Sequence, residues 1–134
     1  VIVVDASTLV SAAFRRGRVP DLAVRHALRT GPIAVSDPVM AEFLDVLYRP
    51  GLARFIEPEL RADLLGQIRA GATVVRPTVT VTDCRDPKDN KYLELALAAN
   101  AATIVSSDED LLVLHPWRGV RILKPAAYLA ETDR

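Results

Sequence analysis

Ala102-Thr103-Ile104-Val105-Ser106-Ser107-Asp108-Glu109-Asp110 is a short β-branched stretch that stops abruptly on an acidic run. Apolar side chains at successive rather than alternate positions mark a strand covered on both faces, the habit of parallel sheets. Val1-Ile2-Val3-Val4-Asp5 repeats the pattern at the start of the chain. Ile33-Ala34-Val35 and Val120-Arg121-Ile122-Leu123 add two more strands. Thr73-Val74-Val75 is a candidate fifth, followed after Pro77 by a Thr/Val run whose assignment stays open. Between the strands, apolar residues recur at helical spacing and predict helices over 7–14, 20–29, 38–48, 59–70, 89–101 and 126–130. Pro20 suits a first helical position, Gly31 a stop, and Asp37 an N-cap. Strands alternating with helices predict a three-layer α/β/α sandwich with a mainly parallel central sheet. In it, 1–4 and 103–106 should be adjacent central strands.

Composition narrows the function. The chain has 134 residues, half of them hydrophobic and a quarter charged, which is globular composition in the size range of one domain spanning 1–134. No internal repeat or interdomain linker interrupts it. Cys84 is the only cysteine, so an intramolecular disulfide, a CxxC redox pair and a multi-cysteine zinc site are excluded. His26 and His115 are the only histidines, which removes His-rich metal sites. Seventeen basic residues balance seventeen acidic ones, so net charge points to neither nucleic acid nor membrane. No apolar run approaches the roughly 18 residues of a membrane span, and no secretory signal pattern is present, so the expectation is a cytoplasmic protein. Neither GxGxxG nor GxxxxGK[ST] occurs, which argues against dinucleotide enzymes and P-loop NTPases.

Where the acids sit is more informative. Ligands of open parallel sheets bind beyond the C-terminal strand ends, and two strands here, ending at Val4 and Val105, deliver acids to that edge. Each acid also suits a helix N-cap, which is the structural alternative. Glu42 lies mid-helix with Val39 and Val46 on its face, and Asp45 one turn on competes for the same role. Asp83-Cys84-Arg85-Asp86-Pro87-Lys88-Asp89-Asn90-Lys91 holds more acids than one N-cap requires. Carboxylates converging at one sheet edge repel unless a cation neutralises them. An all-oxygen donor set suits Mg²⁺ or Mn²⁺, and such sites commonly act on phosphate esters, so phosphodiester hydrolysis is the expected reaction class.

These residues match a known pattern. Val3-Val4-Asp5-Ala6-Ser7-Thr8-Leu9, Arg85-Asp86-Pro87-Lys88-Asp89-Asn90-Lys91-Tyr92-Leu93-Glu94-Leu95-Ala96 and Ile104-Val105-Ser106-Ser107-Asp108-Glu109-Asp110-Leu111-Leu112 follow in order. Together they resemble the PIN-domain family, in particular the small prokaryotic toxins of toxin–antitoxin pairs. The resemblance covers essentially the whole chain. It implies a parallel sheet between helices, an acidic pocket for Mg²⁺ or Mn²⁺, and metal-dependent cleavage of RNA. It further implies a cognate antitoxin and a homodimer as partners. By position it makes Asp5 the first carboxylate, Glu42 the helix-borne second, Asp89 the third and Asp108 the fourth. The spacing usual among small toxins would instead put the third ligand at Asn90, a neutral oxygen. Asp110 is an additional ligand or water anchor, and Ser7 a hydrogen-bonding neighbour.

Arg15, Arg16 and Arg18 flank Gly17 after the first helix and could grip RNA phosphates, the alternative being a solvated loop. Lys88 and Lys91 read as helix-face solvation, Trp117 as core or subunit contact, and Cys84 as a small buried hydrophobe. The Asp-Ala-Ser-Thr start also invites comparison with haloacid-dehalogenase-type phosphatases. Those usually carry a second Asp where Ser7 stands here. The competing functional class is a non-catalytic PIN-like module that binds RNA or protein without cutting.

Overall fold

Five short strands, β1 (Ile2–Val4), β2 (Ile33–Val35), β3 (Ala72–Val74), β4 (Thr103–Val105) and β5 (Arg121–Leu123), form one sheet in the order β3-β2-β1-β4-β5. Every strand pair is parallel, with Val3 opposite Ile104 and Ile104 opposite Ile122. This computed structural model describes residues 1–132. The helices are α1 (Ala6–Ala12), α2 (Val19–Thr30), α3 (Asp37–Leu47), α4 (Pro50–Ala53), α5 (Pro58–Gly71), α6 (Asn90–Ala99), α7 (Glu109–Leu112) and α8 (Pro125–Thr132), with a 3₁₀ turn at Pro87–Asp89. Consecutive residues Val3 and Val4, and likewise Ile104 and Val105, are all buried although they point to opposite faces. Both faces of the sheet are therefore covered, as unbroken apolar strands require.

The chain winds from β1 through β2 to β3 on one side, then returns to place β4 and β5 on the other. The order thus reverses between β1 and β4, and a crevice opens beyond their C-terminal ends. That reversal carries Asp5 and Asp108 to one place although they lie 103 positions apart in the sequence.

The elements differ from expectation mainly at their ends. Ser36, not Asp37, caps α3: its hydroxyl accepts from the Val39 N–H at 3.4 Å, while Asp37 is already helical and exposed. The helix expected over 89–101 begins at Asn90 and stops where Asn100 turns left-handed at φ 53. Four-residue α4 and α7 are too short to show a periodicity. The Thr/Val run after Pro77 forms no regular element. It is tied down where the Val81 N–H donates to the Glu94 carboxylate at 2.8 Å. No described helix is long and apolar enough to cross a membrane.

Phe43, Leu47, Leu9, Ile33 and Ile104 are fully buried and form the centre of the core. Phe43→Ala is expected to lower unfolding stability by about 3–5 kcal/mol, since the surrounding structure can only partly close on the space. Val79→Ala, at a position 55% exposed, should change it by less than about 0.5 kcal/mol. Urea unfolding of both variants measures the contrast, and equal midpoints would be the contrary result.

Candidate active site

At the end of β1 the Asp5 N–H donates to the Val105 carbonyl at 3.0 Å, so the last turn of strand pairing fixes where this carboxylate starts. One Asp5 oxygen caps α1, accepting from the Thr8 N–H at 2.9 Å. The other accepts from the Ser106 hydroxyl and, at 3.4 Å, from that of Ser7. Ser106 is fully buried, and its oxygen also accepts the Asp108 N–H at 3.0 Å. One hydroxyl therefore ties the first acid to the backbone of the last. Asp108 in turn caps α7, accepting from the Asp110 N–H at 2.9 Å. The N-cap alternative is thus correct for Asp5 and Asp108, and it does not compete with a place in the site. The cap holds each carboxylate in position.

The third acid arrives differently. Asp86 opens the 3₁₀ turn by accepting from the Lys88 N–H at 3.1 Å, and the turn then delivers Asp89. Asp89 makes no capping bond. It is only 8% exposed, and its Oδ2 is buried without a hydrogen-bond partner. Asn90 points elsewhere, its Oδ1 accepting the Cys84 N–H at 2.8 Å and pinning the loop. Asp89, not Asn90, lines the cleft. Burial, the facing Asp108 carboxylate, and then Asp86 and Glu42 push the Asp89 carboxyl up to about 7. Burial also raises Asp5, against the opposing bonds from Ser106, Thr8 and Ser7.

Glu42 reaches the same cleft from α3. Tyr92 donates its hydroxyl proton to one oxygen, and the Lys91 ammonium sits 2.8 Å from the other. Burial and Glu42 both raise the Tyr92 hydroxyl, which keeps it a donor. Asp45, the competitor, is exposed and pairs with Arg49 at 2.9 Å.

The cleft measures about 320 Å³ and is lined by Asp5, Ser7, Glu42, Asp86, Asp89 and Asp108, together with the exposed cations Arg49 and Lys88. Oxygens of Asp86, Asp89 and Asp110 come within 4.8 Å of one another, although Arg85 already holds Asp110 at 2.6 Å. Arg15, Arg16 and Arg18 are not brought there. They follow the far end of α1, ~10 Å of helix rise from Asp5, and Arg16 lies 3.6 Å from Asp63 on α5. Lys91 departs from the solvated-face reading, being bound to Glu42 and mostly covered. Asp86, Ser106 and Tyr92 were not singled out from sequence. Tyr92 carries a usable signal, since it stands three residues after Asp89 and shares its helix face. Trp117 is buried, with its indole N–H donating to Asp83 at 2.8 Å, and Cys84 is buried as expected.

The donors suit a hard divalent cation: the oxygens of Asp86, Asp89 and Asp110 are crowded, one Asp89 oxygen is buried and unpartnered, and Asp5, Glu42 and Asp108 line the cleft outside that crowded trio. A family profile described as PIN domain matches residues 1–110. A crystal structure of PAE2754 from Pyrobaculum aerophilum superposes with a TM-score of 0.60 at 17% identity, covering 99% of this chain and 90% of its own. The RRP44 PIN domain of T. brucei gives 0.49 at 18% identity, covering 99% of this chain and 80% of its own. No curated protein sequence matches this chain.

Proposed function

This chain belongs to the PIN-domain family, and from that premise we propose that it is an endoribonuclease hydrolysing RNA phosphodiester bonds with Mg²⁺ or Mn²⁺ held by Asp5, Glu42, Asp89 and Asp108. Asp110 and Asp86 stand by as water anchors or further ligands. The observation that carries the reading is the Asp89 oxygen, buried without a partner against Asp108. Asp89 beside Asp108 keeps its proton up to about 7, and the pair can carry both charges at lower pH only when a cation joins them. We take residues 1–134 as one domain. By the resemblance of its motifs we assign the chain to the toxins of toxin–antitoxin pairs, acting in the cytoplasm as a homodimer restrained by an antitoxin.

When bound, the cation lowers the pKa of the attacking water and offsets charge growing on the phosphate. The chain's own groups do the rest. Ser106 and the α1 cap fix Asp5, while Tyr92 fixes Glu42. Asp89 gives up its proton as the site fills. Arg49 and Lys88, exposed beside the acids, contact the phosphates flanking the cut. Arg49 is free to do so because its exposed i,i+4 bridge to Asp45 is worth only about 0.3–0.5 kcal/mol.

The test is cleavage of single-stranded RNA with Mg²⁺ or Mn²⁺, abolished by EDTA and by Asp5→Asn. Cleavage that survives both, or none from the wild type over varied RNAs, would sink the proposal. Binding of RNA by the Asp5→Asn protein should weaken with salt. Arg49→Ala and Lys88→Ala should each flatten that log–log slope by about 0.7, one single-strand phosphate contact apiece. Unchanged slopes would remove these two residues from the substrate path.

A further inference from the structure

Three elements meet at one buried oxygen. The Tyr92 hydroxyl on α6 accepts the N–H of Ala6, the first residue of α1, at 3.0 Å, and lies against Glu42 on α3. Tyr92 is 2% exposed. A backbone N–H can only donate, so the hydroxyl must use a lone pair on Ala6, and its single proton is left for Glu42. The direction of the chain, Ala6 N–H to Tyr92 Oη–H to Glu42, follows without any assumed hydrogen position. The Ala6 N–H is also one of the amides that a helix start leaves unpaired. The same contact that completes α1 beside Asp5 therefore holds the second acid at the first.

We propose that Tyr92 is the positioning residue of the site: it holds the Glu42 carboxylate in register with Asp5, so that the two acids on separate elements act on one divalent cation. This rests on the cation-dependent reading above. Lys91, on the other Glu42 oxygen, has the opposite effect, being a resident positive charge that an incoming cation must displace.

The test is titration of Mn²⁺ into the whole chain without RNA. Tyr92→Phe is expected to weaken Mn²⁺ binding about tenfold, and Glu42→Gln at least as much. Because Tyr92 acts through Glu42, adding Tyr92→Phe to Glu42→Gln should change the affinity by less than twofold. Additive losses would mean that Tyr92 serves only the fold, and would overturn the proposal. Leu93→Val, a core change on the same helix, should leave the affinity unaltered; a matching loss there has the same overturning force. Lys91→Met probes the same carboxylate from its other oxygen, and does so even if Tyr92→Phe does not fold. It should tighten Mn²⁺ severalfold, whereas a loss would make Lys91 the residue that positions Glu42. Because no RNA is present, a Tyr92-dependent Mn²⁺ site in a chain that cuts no RNA would sink the nuclease reading alone. A wild type that binds no Mn²⁺ would sink both.

Discussion

Asp89→Asn is expected to slow RNA cleavage about a thousandfold while making the metal-free protein more stable. The two effects have one cause. Asp89 is the acid whose buried oxygen has no partner, and its carboxyl titrates near 7 because burial and the facing Asp108 resist its charge. Above pH 7, where Asp89 is ionised, an amide of nearly the same shape removes that charge and offers an N–H₂ to Asp108, turning a repulsion into a hydrogen bond. The apo site is therefore relieved. The loaded site loses a charged ligand, and electrostatic support from a bound cation is worth several kcal/mol, at 1.36 kcal/mol per tenfold in rate. Asp45→Asn, removing an exposed acid one turn from Glu42 and outside the cleft, should alter neither quantity by more than about twofold. Single-turnover cleavage and melting in EDTA provide the readouts. An Asp89→Asn protein less stable than wild type in EDTA would make the residue a structural one.

The fold was legible because its strands leave little choice. Residues 1–4 and 103–106 carry no charge and no alternation, so they can only be the covered centre of a sheet, and β1 and β4 are adjacent there. The acids at their ends were visible for the same reason. Elements whose identity depends on tertiary contact were not legible. Helices α4 and α7 are single turns, and the run after Pro77 is fixed by Glu94 rather than by its own propensity. At the site, sequence distinguishes Glu42 from Asp45 only by helix-face apolarity, and of the two it is Glu42 that lines the cleft. It could not weigh Asp89 against Asn90, because adjacent residues at a helix start point in different directions, and only the Cys84 contact shows which one is occupied. The arginine loop illustrates the opposite limit. Arg15, Arg16 and Arg18 are close to Asp5 in sequence, but a full helix separates them from it. In the sequence Ser106 is simply the end of a strand, and nothing in a single sequence marks a serine as the link between two acids.

In EDTA the melting temperature should fall between pH 4 and pH 7, and Mg²⁺ or Mn²⁺ should reverse the fall. The folded Asp89 carboxyl holds its proton up to about 7, whereas in the unfolded chain it would release it near 3.8. Between those values the folded state binds more protons than the unfolded one, so stability declines as pH rises. The contribution is complete below the unfolded value and is lost as pH passes 7. Asp5, raised by burial, acts in the same direction. Water at the cleft mouth screens much of this, leaving about 1–2 kcal/mol, or ~5 °C in a domain of this size. A cation that binds only the folded chain adds about 2.7 kcal/mol at a hundredfold excess over Kd, roughly 10 °C. That gain should be largest at pH 7 and smaller at pH 5, where protons occupy the same oxygens. Asp89→Asn should flatten the pH dependence and shrink the cation response together, since one carboxylate supports both. A melting temperature indifferent to pH over this window and to millimolar Mg²⁺ and Mn²⁺ would reduce Asp5 and Asp108 to helix caps. The binding-module reading would then account for the chain better than the nuclease.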